Sequence, residues 1–205
     1  SEADTEGRLT GYRAAAHVGA AANGESFGRV ETSVGVDYAS LSGRTFGVDV
    51  PATVEQFRTG TGRTNAPPVV GPVVISELMC HPVSGPTNDL SENLDEEYVE
   101  LHNATAAAVL LYDPAHLTNT WRLAGGVDYA FPMGTTLGTG ETVLVVGFDP
   151  VMDAGAASAF RVRYGLSGAV RLFGAYEGQL SSRGEAIELL RPDTPQAAPG
   201  PDAGY

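Results

Sequence analysis

The sequence predicts an all-β chain whose main domain is a β-sandwich. Three observations lead there. Twenty-six glycines and 13 prolines in 205 residues punctuate the chain too often for long helices. Short apolar runs recur at strand-like spacing, each stopped by Gly, Pro, Asn or Asp. Between Pro72 and Asn103, two of these runs bracket a loop that is too acidic to be buried.

Residues 1 to 7 are polar and acidic and read as a frayed end. From Arg8 to Gly47 come the β-prone runs Arg8 to Arg13, Glu25 to Val30 and Val36 to Leu41, with Asn23-Gly24 as a hairpin signal. Residues 1–48 are therefore expected to form an N-terminal β-hairpin arm. Residues 49–71 read as a linker. Within it, Pro51 to Arg58 fits one helical turn with proline at its first position, and Asn65-Ala-Pro67-Pro68 is extended.

Residues 72–192 make the expected sandwich. Its strand candidates are Val73 to Leu78, Glu97 to Asn103, Ala108 to Tyr112, Trp121 to Leu123, Tyr129 to Phe131, Glu141 to Gly147, Val170 to Phe173 and Ala186 to Leu190. The alternation of Tyr98, Glu100 and His102 with Val99 and Leu101 predicts one wet face and one core face. The alanine-rich stretch from Asp149 to Tyr164 predicts a short helix beginning near Asp153. Residues 193–205, rich in Pro, Ala and Gly, read as a tail. The pentapeptide Gly35-Val-Asp-Tyr-Ala39 recurs as Gly126-Val-Asp-Tyr-Ala130, a match too short to establish duplication.

Composition narrows the function classes. A net charge of -13 repels nucleic acid and anionic membranes at long range, so neither is expected as a partner. All 12 basic residues are arginine, and the lack of lysine removes Schiff-base chemistry and the P-loop lysine. Cys80 stands alone, so an intrachain disulfide and a thiolate metal cluster are both excluded. No run approaches the roughly 18 apolar residues of a membrane span. The first residue is Ser1, which suggests a processed product or a fragment.

The run Val74-Ile-Ser-Glu-Leu-Met79, followed by Glu97-Tyr-Val-Glu-Leu-His-Asn103, resembles the opening of a lamin-tail domain. The likeness continues through Asn119-Thr-Trp-Arg-Leu123, Phe131-Pro-Met-Gly-Thr-Thr-Leu137, Gly140-Glu-Thr-Val-Leu-Val-Val-Gly147 and Gly184-Glu-Ala-Ile-Glu-Leu-Leu190, and so covers about residues 72–192. Cys80 stands where the family pattern has an aromatic. The resemblance implies an immunoglobulin-like sandwich and, by analogy with bacterial family members, an extracellular or cell-surface structural role. It also implies structural roles for Glu77 and Glu100 in the two signature strands. The family's closing strands do not follow Leu190. A similar pattern instead lies within residues 8–47, so Leu9, Tyr12, Phe27 and Arg29 are candidate strand-donor or interface residues, pairing in the same molecule or in a neighbouring copy.

Candidate chemistry is sparse. Gly24-Glu-Ser26-Phe-Gly28 matches a nucleophile-elbow pattern but lacks the strand-to-helix context that exposes the serine, so a hairpin turn is expected there. Asp89, Glu92, Asp95 and Glu96, with Glu97 beside them, concentrate hard oxygen ligands and make calcium the one candidate cofactor. A solvated acidic loop is the alternative. Cys80-His81 ends a strand before Pro82 and is expected to be structural filler. Trp121 is expected in the core. Asn103-Ala-Thr105 fits a glycosylation acceptor. The expected function is a non-catalytic extracellular structural or adhesive module whose partners are copies of itself or adjacent modules. Two readings compete with it. One is an accessory protein- or polysaccharide-binding module exposing aromatics such as Tyr112 or Tyr176, and the other is a hydrolase.

Overall fold

The computed structural model describes residues 5, 6, 8, 16–19, 24–44, 65–82, 93–193 and 195. The helical turn expected over Pro51 to Arg58 lies outside them, as does the strand expected over Arg8 to Arg13 except for Arg8 itself. The chain divides into two compact units, residues 1–70 and 71–205.

In the first unit, β1 (Ser26–Thr32) pairs antiparallel with β2 (Gly35–Leu41) in unbroken register from Ser26↔Leu41 to Thr32↔Gly35. The reversal falls at Ser33-Val34, where Gly35 takes a positive φ of 140°. The hairpin signal Asn23-Gly24 precedes this ribbon, and its Asn23 lies outside the described residues. Gly24 precedes β1, and its carbonyl accepts from Arg44 Nε at 3.1 Å. The far edge of β2 is held at its end by Pro67 to Val69. Val69 N–H donates to Ser40 O at 2.6 Å and Ser42 N–H to Pro67 O at 2.9 Å.

The second unit is an all-β sandwich with one short helix among its described residues. Its strands are β3 (Val73–Met79), β4 (Tyr98–Asn103), β5 (Val109–Leu110), β6 (Tyr112–Asp113), β7 (His116–Thr120), β8 (Arg122–Gly125), β9 (Val127–Ala130), β10 (Thr136–Leu137), β11 (Thr142–Val146), β12 (Arg171–Phe173), β13 (Glu177–Gly178) and β14 (Ile187–Leu190). One sheet has the order β12-β11-β4-β3 and the other β13-β9-β8-β14. Two small ribbons, β5 with β10 and β6 with β7, complete the unit. Between the sheets lies one apolar cluster. Val99, Leu101, Val143 and Val145 reach it from the first sheet, Leu123, Val127 and Tyr129 from the second, and Trp121, Phe131 and Tyr176 from the connections. Burial of this apolar surface is the main force holding the sheets together.

Strand β11 pairs antiparallel with β4 but parallel with β12, so the chain must cross back between β11 and β12. Helix α1 (Ala154–Tyr164) makes that crossing. It starts where the alanine-rich sequence predicts. Asp153 caps its N-terminus by accepting from Ala156 N–H at 2.8 Å, and Gly165 ends it in the left-handed region at φ 62°. Phe160 packs from the helix against Tyr98, Leu144, Val146 and Phe148, making a second apolar cluster on the outer face of the first sheet. That explains why β11 reads Thr-Val-Leu-Val-Val without alternation: both of its faces are covered.

The same covering corrects the wet face expected of β4. Glu100 and His102 remain partly exposed, but Tyr98 is buried, because Phe160 and Tyr164 meet its ring edge-on at centroid distances of 6.0 and 5.2 Å. Phe160 thus closes this cluster. Its truncation, Phe160→Ala, is expected to lower unfolding stability by about 3–5 kcal/mol, measured by urea denaturation. An equally large loss from Val162→Ala, at an exposed position of the same helix, would contradict this assignment.

Candidate functional site

The polar groups of the second unit gather around β3 and β4. Every second residue of the chain entering and following β4 faces inward: Glu97, Val99, Leu101 and Asn103 are each 0% exposed. The two ends of this row are polar, and each ties down loops. The carboxylate Oε2 of Glu97 accepts from Tyr176 O–H at 3.2 Å and from Leu180 N–H at 3.1 Å. Burial, together with the charge of Glu97 and its hydrogen bond, pushes the Tyr176 hydroxyl far above its ordinary pKa, so it stays a donor. At the other end, Asn103 Nδ2 lies within hydrogen-bond distance of the carbonyls of Ala107 (2.8 Å), Gly138 (2.7 Å) and Leu137 (3.3 Å). Its Oδ1 accepts from Thr105 N–H at 3.0 Å and Thr105 O–H at 2.8 Å.

Three sequence expectations change here. Glu97 is not part of a solvated acidic loop but a core residue, because it has the inward parity of Val99 and Leu101. Asn103 fits a glycosylation signal by sequence, yet its amide is spent on the two neighbouring loops inside the fold. Tyr176, named above as a candidate exposed aromatic, is likewise buried and serves as the partner of Glu97.

On the outer face, a β-bulge at Ser76 shifts the β3 register between Ile75 and Glu77 and sets Glu77 opposite Glu100. Like charges facing across strands repel, and here each carboxylate takes a hydroxyl. Glu77 accepts from Tyr98 O–H, and Glu100 Oε1 from Ser76 O–H at 2.7 Å. The partners of both carboxylates are thus side-chain hydroxyls. Burial, then the hydrogen bond and charge of Glu77, raises the Tyr98 hydroxyl strongly, which keeps it protonated as the donor.

Of the acidic calcium candidates, Asp89 and Glu92 lie outside the described residues. Asp95 is exposed on the one-turn 3-10 segment Leu94–Glu96, and its N–H donates to Asn93 Oδ1 at 3.3 Å. Glu96 is engaged by helix α1: Arg163 Nε lies 3.1 Å from its Oε2, and Tyr164 O–H donates to its carbonyl at 2.6 Å. Among the described residues no group of three or more His, Cys, Asp or Glu is placed to hold a metal ion. Trp121 is buried in the main cluster, and Cys80 is half-buried against it. His81 is exposed. Ser26 opens β1 opposite Leu41, within an antiparallel hairpin rather than at a strand-to-helix turn. Phe27 is half-buried in β1, Arg29 is exposed, and Leu9 and Tyr12 lie outside the described residues.

Two further ties were not anticipated from sequence. Arg171 Nε meets Glu141 Oε1 at 2.6 Å, while its Nη2 donates to Thr136 O at 2.7 Å and its guanidinium lies over the Phe173 ring at 5.3 Å. Partial burial acts to raise the Glu141 carboxyl. The Arg171 hydrogen bond, the Gly138 N–H and the Arg171 charge outweigh it and hold the group below its ordinary value of 4.5. At the tip of the β6–β7 ribbon, His116 Nδ1 lies 2.6 Å from Asp113 Oδ2, and this bond above all lowers the Asp113 carboxyl.

Because the Glu141 pKa is depressed in the fold, its contribution to stability is full above about pH 4.5 and is lost as pH falls through the lower folded value. The melting-temperature gap between the native chain and Glu141→Gln should therefore be constant near neutrality and shrink on acidification. A gap that widens in acid would contradict the tie. Glu97→Ala strands a buried hydroxyl and a buried N–H, and it should cost at least about 2 kcal/mol of unfolding stability. Expressed in a glycosylating host, the folded chain should carry no glycan at Asn103 by intact mass, since its amide faces inward. Comparison of the chain with protein-family models, with curated proteins and with solved structures finds no match.

Proposed function

We propose that this chain is a non-catalytic structural or adhesive module of an extracellular or cell-surface assembly, built as an immunoglobulin-like sandwich akin to lamin-tail domains and joined to neighbouring copies by β-strand pairing. The observation that carries the reading is the use made of its carboxylates. Glu77, Glu97, Glu100, Glu141 and Asp113 each hold a hydroxyl, an N–H, an imidazole or a guanidinium of their own unit. Groups of the kind that do acid–base work serve here as ties. The ordered series of sequence pieces from Val74 to Leu190 supports the family, and the lysine-free, acidic composition suits a soluble surface that repels nucleic acid.

The hairpin of residues 26–41 supports the joining role. Among the described residues its sheet has two strands, and a two-stranded sheet is marginal in water. Val34 and Val36 stand exposed on this one, at 96% and 48%. Deleting residues 1–48 is the test, with size-exclusion light scattering and negative-stain imaging as readouts. The full chain is expected to form concentration-dependent oligomers, and the deletion variant to stay monomeric. A full chain that is monomeric throughout would favour the accessory binding module. Hydrolysis of ester or glycoside substrates that is lost in Ser26→Ala would overturn the non-catalytic reading.

A further inference from the structure

Sheet edges carry unpaired backbone groups, and proteins shield them with bulges, charges, prolines or short length. Among the described residues, three of the four outer strands of the two larger sheets are shielded in this way. Strand β3 is broken by the bulge before Glu77. Strand β12 has three residues and opens with the ion-paired Arg171. Strand β13 has two residues, Glu177 and Gly178. Strand β14, Ile187-Glu-Leu-Leu190, pairs with β8 in continuous register and has neither bulge nor proline. Its Ile187 and Leu189 pack against the core only in part, whereas Leu123 beside them on β8 is fully buried. The core is therefore only partly covered along this edge.

Resting on the assembly reading above, we propose that β14 is the acceptor edge and that strand β1 of a second copy is its occupant, so that copies join head to tail. The hairpin has a corresponding edge. The bonds from Val69 and Ser42 to the chain at 67–69 turn Ser40 and Ser42 away from β1, so by alternation Ser26, Gly28, Val30 and Thr32 bond to β2 and Phe27, Arg29 and Glu31 face outward. On that outward edge Asn65 Nδ2 donates to the Arg29 carbonyl at 3.1 Å, a side-chain amide standing where a partner strand would supply its backbone. Charge disfavours a second unit as the occupant of the β14 edge. Residues 1–70 hold half of the arginines but only about a third of the acidic residues, so most of the -13 net charge falls on residues 71–205. Two second units repel each other, while a first unit against a second does so far less. Such a contact joins two different surfaces, and it propagates unless it closes into a ring.

The test uses the full chain with one edge blocked at a time. Gly126 N–H donates to Ala186 O, so Ala186 and Glu188 bond toward β8 while the Ile187 N–H points outward. Ile187→Pro removes that donor at the first position of the strand, where proline is best tolerated. Glu31→Pro removes an outward donor of β1. Each variant alone is expected to be monomeric by native mass spectrometry, with circular dichroism reporting retained β-structure. An equimolar mixture should form a dimer and stop there, because each variant keeps one intact edge. If the native chain assembles but the mixture stays monomeric, or if either variant assembles as the native chain does, the edge assignment is overturned while the assembly reading stands. A native chain that stays monomeric up to about 1 mM overturns both.

Discussion

The sandwich depends on the inward row of β4, where two apolar residues are bracketed by two buried polar ones. Val99 and Leu101 supply area to the core, and Glu97 and Asn103 close its two ends. A buried carboxylate is costly unless its oxygens are used, and Glu97 spends one on Tyr176 and Leu180, drawing the connection after β12 down onto the sheet. Asn103 does the same for the chain around Ala107 and for the β10–β11 turn, accommodating three carbonyls with one amide group. These ties fix which loop lies where, a specification that apolar packing alone does not provide.

The outer face of the same sheet follows from the parallel pairing of β11 and β12. Parallel neighbours require a crossing segment, the crossing segment is helix α1, and the helix brings Phe160 and Tyr164 over Tyr98. Tyr98 is then buried at its ring and polar at its hydroxyl, which reaches Glu77 across the bulge. Arg163 and Tyr164 at the end of the helix also take up Glu96, so the last part of the acidic segment is bound to the sandwich rather than left to solvent. The result is a sheet covered on two faces at its centre and more exposed toward its margins.

Much of this was legible in the residues. Most of the strand runs of the second unit and the helix beginning at Asp153 follow from turn residues, apolar periodicity and capping chemistry, which act locally. The burial of Glu97 was legible too, by extending the parity of Val99 and Leu101 one step back, but the acidic neighbours Asp95 and Glu96 obscured it. The short strands β7, β10 and β13 left no signal, because two to five residues with mixed polarity owe their pairing to the neighbour rather than to their own pattern.

The repeated pentapeptide separates local from tertiary causes. Gly-Val-Asp-Tyr-Ala forms or leads into a strand in both places, as its β-branched and aromatic residues dictate. At Val127 and Tyr129 it is buried in the core, whereas Val36 is exposed and Tyr38 is only half-buried. Sequence by itself determined the all-β class, the punctuation of the strands and the short helix that Asp153 caps, because these depend on neighbouring residues and on period. Which strand sides are buried, which carboxylates become ties and which strands stand at the sheet edges were decided by the tertiary structure, because each depends on groups far apart in the chain that only folding brings together.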